Sequence, residues 1–360
     1  MIYLLILLSS LGLAIVLVKI FQIISYKLDI LDYPNKARKI HKKATPLLGG
    51  TAIFLSFWLM IFILHLLGFF QYLDFSSSHL MGIFLASLVL LIGGVLDDKY
   101  DLSAIYQIIF PILAIIIVFA FGISIDFITN PFNSELFDLN IWKLTFHLGE
   151  KVIIFSILGD TLMFAWLLGM MYTTKLLDGL DGLVSGIALI GGLIMLFLTL
   201  SMNWFQADVA LLLLVFIAVV GGFLLYNLPK ASIFLGEEGA LFLGFFLGVI
   251  SILAGSKIAT ALLVFALPII DGLWVMFYRF IKGKSIFRAD KNHLHHRLLD
   301  LGWSVSQILL LVYCLTFLFG LSTLFLQPFI KLIILTILTI SVIIFEYVIT
   351  QKLKKKNYEI

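Results

Sequence analysis

The sequence predicts an all-α polytopic membrane protein of about eleven transmembrane helices, and three observations lead there. Of its 360 residues 62% are hydrophobic and only 12% charged, far from the near-half apolar, quarter-charged balance of a soluble domain. The apolar residues gather in blocks such as 48–69, 81–96, 151–173, 209–226 and 332–349, long enough as helix to cross or nearly cross about 30 Å of hydrocarbon. They do not alternate with polar residues as the strands of a closed barrel would. The basic residues, finally, are segregated between alternate connections.

In order, the expected spans are 2–24, 48–69, 80–96, 105–122, 152–173, 183–200, 207–226, 240–256, 258–278, 304–324 and 328–350. The first has no basic leader and lacks small residues at its exit, so it reads as a retained span rather than a cleaved signal. The pair flanking Ser256 and Lys257 reads either as two spans or as one long helix. The single cysteine, Cys314, lies in an apolar block, which excludes a disulfide framework and a thiolate metal site.

Orientation follows from charge. Loop 25–47, loop 279–303 and the 352–360 tail are basic, and with Lys19, Lys99, Lys175 and Lys230 they put 20 of the 24 Lys and Arg residues on one side. Only Lys143, Lys151, Lys257 and Lys331 fall on the other. The positive-inside bias makes the basic side cytoplasmic, with the N-terminus outside and the C-terminus inside. The chain is thus expected to be one transmembrane domain, residues 1–360, with cytoplasmic loops 25–47, 97–104, 174–182, 227–239 and 279–303. The external 123–150 connection alternates at Ile125–Ile128 and turns at Asn130–Asn133, which predicts a short hairpin-like insertion.

Acidic residues collect at the cytoplasmic ends of the spans: Asp97 and Asp98, Asp178 and Asp181, Glu237 and Glu238, then Asp271 and Asp290. A lone acid there is commonly a helix cap. Adjacent carboxylates repel, however, and are buried only with a compensating cation or basic partner. Such a cluster suits a hard divalent cation, which shares oxygen ligands with phosphates. His293, His295 and His296 are flanked by Arg288, Lys291 and Arg297; that basic field favours anion binding over zinc. The residues therefore point to a metal-assisted reaction on a phosphorylated substrate at the cytoplasmic membrane boundary. A secondary transporter is a distant alternative, because no repeated halves are visible and the acids lie at span ends on one side.

The motifs resemble those of the polyprenyl-phosphate N-acetylhexosamine-1-phosphate transferases, the undecaprenyl-phosphate GlcNAc-1-phosphate transferase group of glycosyltransferase family 4. The resemblance runs from Asp32 to Leu301. It includes Pro34, Arg38, Lys39 and His41, the Gly94–Ser103 segment with Asp97, Asp98 and Asp101, and the Asp178–Leu183 segment. Asn227, Ile233–Gly236, Gly239 and Asp290–Leu299 complete it. The resemblance implies transfer of a sugar 1-phosphate from a UDP-N-acetylhexosamine to undecaprenyl phosphate, with release of UMP, in a bacterial cytoplasmic (inner) membrane. It also implies Mg²⁺, with Mn²⁺ as a substitute. Asp97, Asp98, Asp178 and Asp181 would be the catalytic acids, and Glu237 a metal ligand joined by Asp98 or Glu238. Lys175, Asn227, Arg38, His41, Arg288, His293, His295, His296 and Arg297 would bind substrate. A homodimer is compatible with the sequence, and no nucleic-acid partner is expected.

The chain departs from the family pattern at a few positions. Tyr172 and Lys175 stand where relatives have asparagines, Glu237 and Glu238 where they have Asp and Thr or Ser, and Gln107 where they have lysine. An ammonium cannot ligate a metal. Lys175 and Glu238 are expected to compensate as an ion pair, leaving Glu237 free; direct contact of Lys175 with the substrate diphosphate is the competing arrangement. A catalytically weakened or inactive homologue is the alternative function.

Overall fold

The computed structural model describes residues 1–34, 43–70, 77–133, 135–148, 151–201, 205–255, 257–281, 283 and 293–358. Helix α1 (Ile2–Leu28) is followed by a minimal ladder, β1 (Leu31–Asp32) antiparallel to β2 (Thr45–Pro46). Then come α2 (Gly49–Leu66), α3 (Ser77–Tyr100) and α4 (Ala104–Ala120). Two further antiparallel pairs follow, β3 (Phe127–Thr129) with β4 (Leu136–Asp138), and β5 (Lys143–Leu148) with β6 (Lys151–Ser156). The rest is helical: α5 (Ile157–Leu177), α6 (Leu183–Thr199), α7 (Ala207–Asn227), α8 (Gly236–Leu253), α9 (Ile258–Val264), α10 (Ala266–Ile281), α11 (Leu294–Asp300), α12 (Val305–Ser322) and α13 (Pro328–Tyr358).

Seven of these helices are long and apolar enough to cross a membrane, or eight if the bent pair α9–α10 counts as one span. The protein is thus a polytopic membrane protein. Helices α4 and α6 are apolar but shorter, with 17 residues each. Helix α5 has 21 residues, its apolar content diluted by Asp160, Thr173, Thr174 and Lys175. The expected 152–173 span begins late, because Val152, Ile153, Ile154 and Phe155 pair in β6, where β-branched and aromatic residues fit the pleat. Helix α5 starts after Ser156, whose backbone N–H donates to Asp160 Oδ2 at 2.7 Å. The expected 258–278 helix is broken by 76° between α9 and α10. Pro268 lacks the N–H that would bond the Val264 carbonyl, and its ring would crowd that turn.

Helix α8 is the hub of the bundle, its apolar residues buried along its whole length. In hydrocarbon, helices associate through close packing rather than by escaping water, so small residues decide where backbones meet. A Cβ on Gly50 would strike the Gly239 backbone, and one on Gly94 the backbone of Glu238. One on Gly244 would strike Thr174 and the Met170 carbonyl. Helices α2, α3 and α5 therefore touch α8 at glycine. Deeper in, Phe216 stacks on Phe246 with centroids 4.4 Å apart and Phe57 meets the same ring edge-on at 4.9 Å. Such ring pairs contribute about 0.5–1.5 kcal/mol each beyond area burial and join α2, α7 and α8.

Candidate active site at one end of the bundle

Helix α8 opens on Gly236, whose φ of +76° lies in the left-handed region that favours glycine. A side chain there would also collide with the Leu47 carbonyl and the carboxylates of Asp98 and Glu238. The next two residues are acidic and lie about 100° apart around the helix, so they face different neighbours. Glu238 turns inward and is fully buried. Its Oε1 accepts from Thr51 N and Oγ1, both at 3.3 Å. Its Oε2 has no hydrogen-bond donor among the described residues, and the Asp98 carboxylate is close by: a Cβ on Gly236 would meet both Glu238 Oε2 and Asp98 Oδ2. Asp98 Oδ2 in turn accepts from Glu237 N at 3.0 Å, a carboxylate held at a helix N-terminus.

Glu237 faces α5. Lys175 Nζ, in the last turn of α5, stands 3.1 Å from Glu237 Oε2 and 3.8 Å from Asp97 Oδ2. It also donates to Gln107 Oε1 at 3.0 Å. Gln107 Nε2 donates to Asp97 Oδ1 at 3.0 Å, and Leu102 N to the same oxygen at 2.8 Å. This corrects the expected pairing of Lys175 with Glu238. The ammonium pairs with Glu237 and Asp97 instead, because Glu238 points away into the α2–α3 side of α8.

The turn between α5 and α6 carries Asp178 and Asp181. Asp181 Oδ2 accepts from Ala231 N at 3.0 Å, tying this turn to the connection after α7. Asn227 completes the tie: its Oδ1 accepts from Gly182 N at 3.1 Å and Ser185 Oγ at 2.7 Å, while Nδ2 donates to Ile233 O at 3.1 Å. Asn227 is buried and its amide is spent on these contacts. It positions two loops, and its expected place in substrate binding is as a residue that holds them in register. Tyr313 on α12 donates to the Gly182 carbonyl at 2.5 Å. Asp178 keeps solvent contact as a residue. Its carboxyl is nonetheless held above the ordinary range, by the dense protein around it first and then by the fields of Glu237, Glu238 and Asp181.

The histidines come in on α11. His293 Nδ1 lies 3.0 Å from Asp271 Oδ2, and Leu294 N donates to Asp271 Oδ1 at 2.9 Å, so α10 fixes the start of α11. The rings of His293 and His295 are parallel at 5.9 Å, and those of His295 and His296 are 4.3 Å apart. A Cβ on Gly179 would meet Nε2 of both His295 and His296, which puts the two imidazoles directly against the Asp178–Gly182 turn. Burial, followed by the neighbouring His296, pulls His295 down to about 3, so this ring is neutral. Its Nε2 is buried with no hydrogen-bond partner among the described residues.

Arg297 turns the other way. It is buried, reaches the Glu346 carboxylate and donates to Glu346 O at 3.3 Å and Thr350 Oγ1 at 2.7 Å. It clamps α11 to α13, away from the contacts expected of a substrate-binding arginine. Arg38, His41, Arg288 and Asp290 lie outside the described residues. Thr51, Gln107 and Tyr313 contribute without having been among the expected site residues, and Asp271 was expected only as one of the clustered acids. Asp271 left a signal as an ionisable residue inside an apolar block, and Gln107 as a departure from the family pattern.

Among the described residues no three His, Cys, Asp or Glu side chains form a group that could hold a metal ion. The reason is visible in the donors. Lys175 stands between Glu237 and Asp97, and Glu238 is committed to Thr51 and Asp98. The described residues, as arranged, do not fit a divalent ion.

Fold and site together define a polytopic membrane protein with a carboxylate- and histidine-lined polar site at one end of its bundle. The family model described as glycosyl transferase family 4 matches residues 80–255, which contain the α3, α5–α6 and α8 parts of that site. A Bacillus subtilis protein described as a probable undecaprenyl-phosphate N-acetylglucosaminyl 1-phosphate transferase is 29% identical over 324 residues, 88% of this chain and 83% of its own length. A Thermotoga maritima undecaprenyl-phosphate alpha-N-acetylglucosaminyl 1-phosphate transferase is 27% identical over 340 residues, covering 93% of this chain and 94% of its own. A Mycobacterium leprae decaprenyl-phosphate N-acetylglucosaminephosphotransferase is 27% identical over 315 residues, 81% of this chain and 75% of its own. The family-model match and these relatives together support glycosyl transferase family 4 as the family this chain resembles.

Proposed function

We propose that this protein transfers a sugar 1-phosphate from a UDP-N-acetylhexosamine, UDP-GlcNAc foremost, to undecaprenyl phosphate. An oxygen of the lipid phosphate attacks the sugar-proximal phosphorus of the donor. The bond from that phosphorus to the bridging oxygen breaks, and UMP leaves with the electron pair. The observation that carries this reading is the meeting of His295 and His296 with the Asp178–Gly182 turn, beside the acids of α3 and α8. Donors and acids side by side support a reading in which a diphosphate and an attacking phosphate meet here. The names of the three relatives support a polyprenyl phosphate acceptor, undecaprenyl in two and decaprenyl in the third, and an N-acetylglucosamine sugar.

In this reading Asp97 and Asp98 orient the lipid phosphate, which is already largely ionised near neutral pH and needs little deprotonation. Neutral His295, with His296, holds the donor. Asp271 and Asn227 keep the histidine helix and the two acidic loops in register. Mg²⁺ or Mn²⁺ is the ion the family resemblance implies, and no step runs through it, because the described acids as arranged do not fit one. The test is incubation of membranes with undecaprenyl phosphate and a panel of UDP-sugars, scoring UMP and lipid-linked product. UDP-GlcNAc is expected to give both. An expressed, membrane-inserted chain that turns over no UDP-N-acetylhexosamine would be an inactive homologue.

Eleven crossings result if α4, α5 and α6 each span and α9–α10 and α13 do likewise. The charge bias then favours an external N-terminus, a cytoplasmic C-terminus and site, and β3–β6 outside a bacterial inner membrane. The whole chain would be one transmembrane domain, either alone or as a homodimer. In a Cys314→Ser background, a cysteine at Lys230 is expected to react with impermeant thiol reagents only from the cytoplasmic side. One at Asn133 is expected to react only from outside. Labelling of both from the same side overturns the map.

A further inference from the structure

We infer that Lys175 is a built-in countercation of the acidic site, standing where a divalent ion would otherwise bridge Glu237 and Asp97. The first ground is geometry. Its Nζ is 3.1 Å from Glu237 Oε2, 3.8 Å from Asp97 Oδ2 and 3.0 Å from Gln107 Oε1. An ammonium has donors and no acceptor: one goes to Gln107 Oε1, while Glu237 Oε2 and the more distant Asp97 Oδ2 are held by charge. The second ground is placement. Lys175 lies in the last turn of α5, where the helix dipole favours a cation, and its side chain is only 16% exposed. The third is the frame that holds it. Gln107 takes the ammonium on its carbonyl oxygen and gives its NH₂ to Asp97, so one amide fixes both members of the pair.

Charge follows from this arrangement. Asp97, Asp98, Glu237 and Glu238 bring four carboxylates to the junction of α3 and α8, and Lys175 is the cation found among them in the described residues. A divalent ion entering beside Glu237 would meet a fixed positive charge a few ångströms away in a partly desolvated site, where repulsion is strong. Mg²⁺ also demands near-octahedral oxygen geometry, and the Glu237 and Asp97 oxygens are already turned to the ammonium. In the transferase reading, on which this part rests, Lys175 neutralises part of the charge on the bound diphosphate and loosens the demand for free metal.

The test uses purified full-length protein in detergent without substrate, titrated with Mn²⁺ and read by electron paramagnetic resonance. Wild type is expected to bind Mn²⁺ weakly, and Lys175→Gln about ten-fold or more tightly than wild type, because the repelling charge is gone. The exchange Gln107→Lys with Lys175→Gln returns an ammonium to the same place from the α4 side. It is expected to restore weak binding, which also separates charge from misfolding. Equal Mn²⁺ affinity in wild type and Lys175→Gln, or tight binding by the exchanged protein, overturns the inference. A parallel arm measures UMP release against Mg²⁺ and chelator. Wild type is expected to keep turnover at metal levels that silence Lys175→Gln. If no UDP-N-acetylhexosamine is turned over by wild type, the transferase reading falls while the Mn²⁺ arm still decides the role of Lys175.

Discussion

Asp98→Asn is expected to lower turnover by about 100-fold or more, the usual cost of losing a positioned catalytic or electrostatic group. The folded protein should survive the change. The Asp98 and Glu238 carboxylates face each other in a site where Glu238 Oε2 lacks a donor. An asparagine could keep accepting from Glu237 N through Oδ1 and present Nδ2 to that orphaned oxygen. Loss of a like-charge repulsion offsets loss of a helix-terminus anion, so expression and Tm should stay at or above wild type. Turnover is best followed as UMP release with each substrate limiting in turn, which separates binding from chemistry. Near-wild-type kcat/KM for both substrates would show that Asp98 is a structural cap and would remove it from the mechanism.

Gly94→Leu is expected to abolish activity for a different reason, by prising α3 from α8. A Cβ at this position already meets the backbone N and Cα of Glu238, and backbone cannot swing aside as a side-chain tip can. Overpacking of this kind costs about 1–3 kcal/mol and occasionally more. Here it would also displace Glu237 N from Asp98. Thermal unfolding in detergent should register a clear fall in Tm. Gly12→Leu is the matched control, since nothing lies within 4 Å of a Cβ there and its stability should hold. An unchanged Tm in Gly94→Leu would mean that the close approach of α3 and α8 is not a constraint.

The helices were legible because hydropathy is additive along the chain: α1, α2, α7 and α13 match the apolar blocks of 2–24, 48–69, 207–226 and 328–350 closely. The strands of β6 and the bend at α9–α10 were less so. An apolar run rich in isoleucine and valine reads the same as helix or strand until a partner strand is known, and β5 supplies that partner. At the site, the acids were legible as a class because clustered carboxylates at span ends are costly without a purpose. Their partners were not. Lys175 and Gln107 are 68 positions apart and register in sequence only as two separate departures from a pattern; the fold brings them to 3.0 Å. Asn227 and Arg297 have the chemistry of ligand-binding side chains, yet each turns inward to hold one segment to another.

What the sequence determined by itself was therefore the solvent each segment occupies, the segments carrying charge, and the family those motifs resemble. Composition and order decide these, and both are properties of the chain. What only the tertiary structure decided was which charge meets which. Two glutamates adjacent in sequence lie about 100° apart around α8, so one faces Lys175 on α5 and the other is sealed between Gly50 and Gly94. Helix rotation and the glycine contacts that set helix spacing are long-range properties, and they turn a list of acids into a site with its own internal cation.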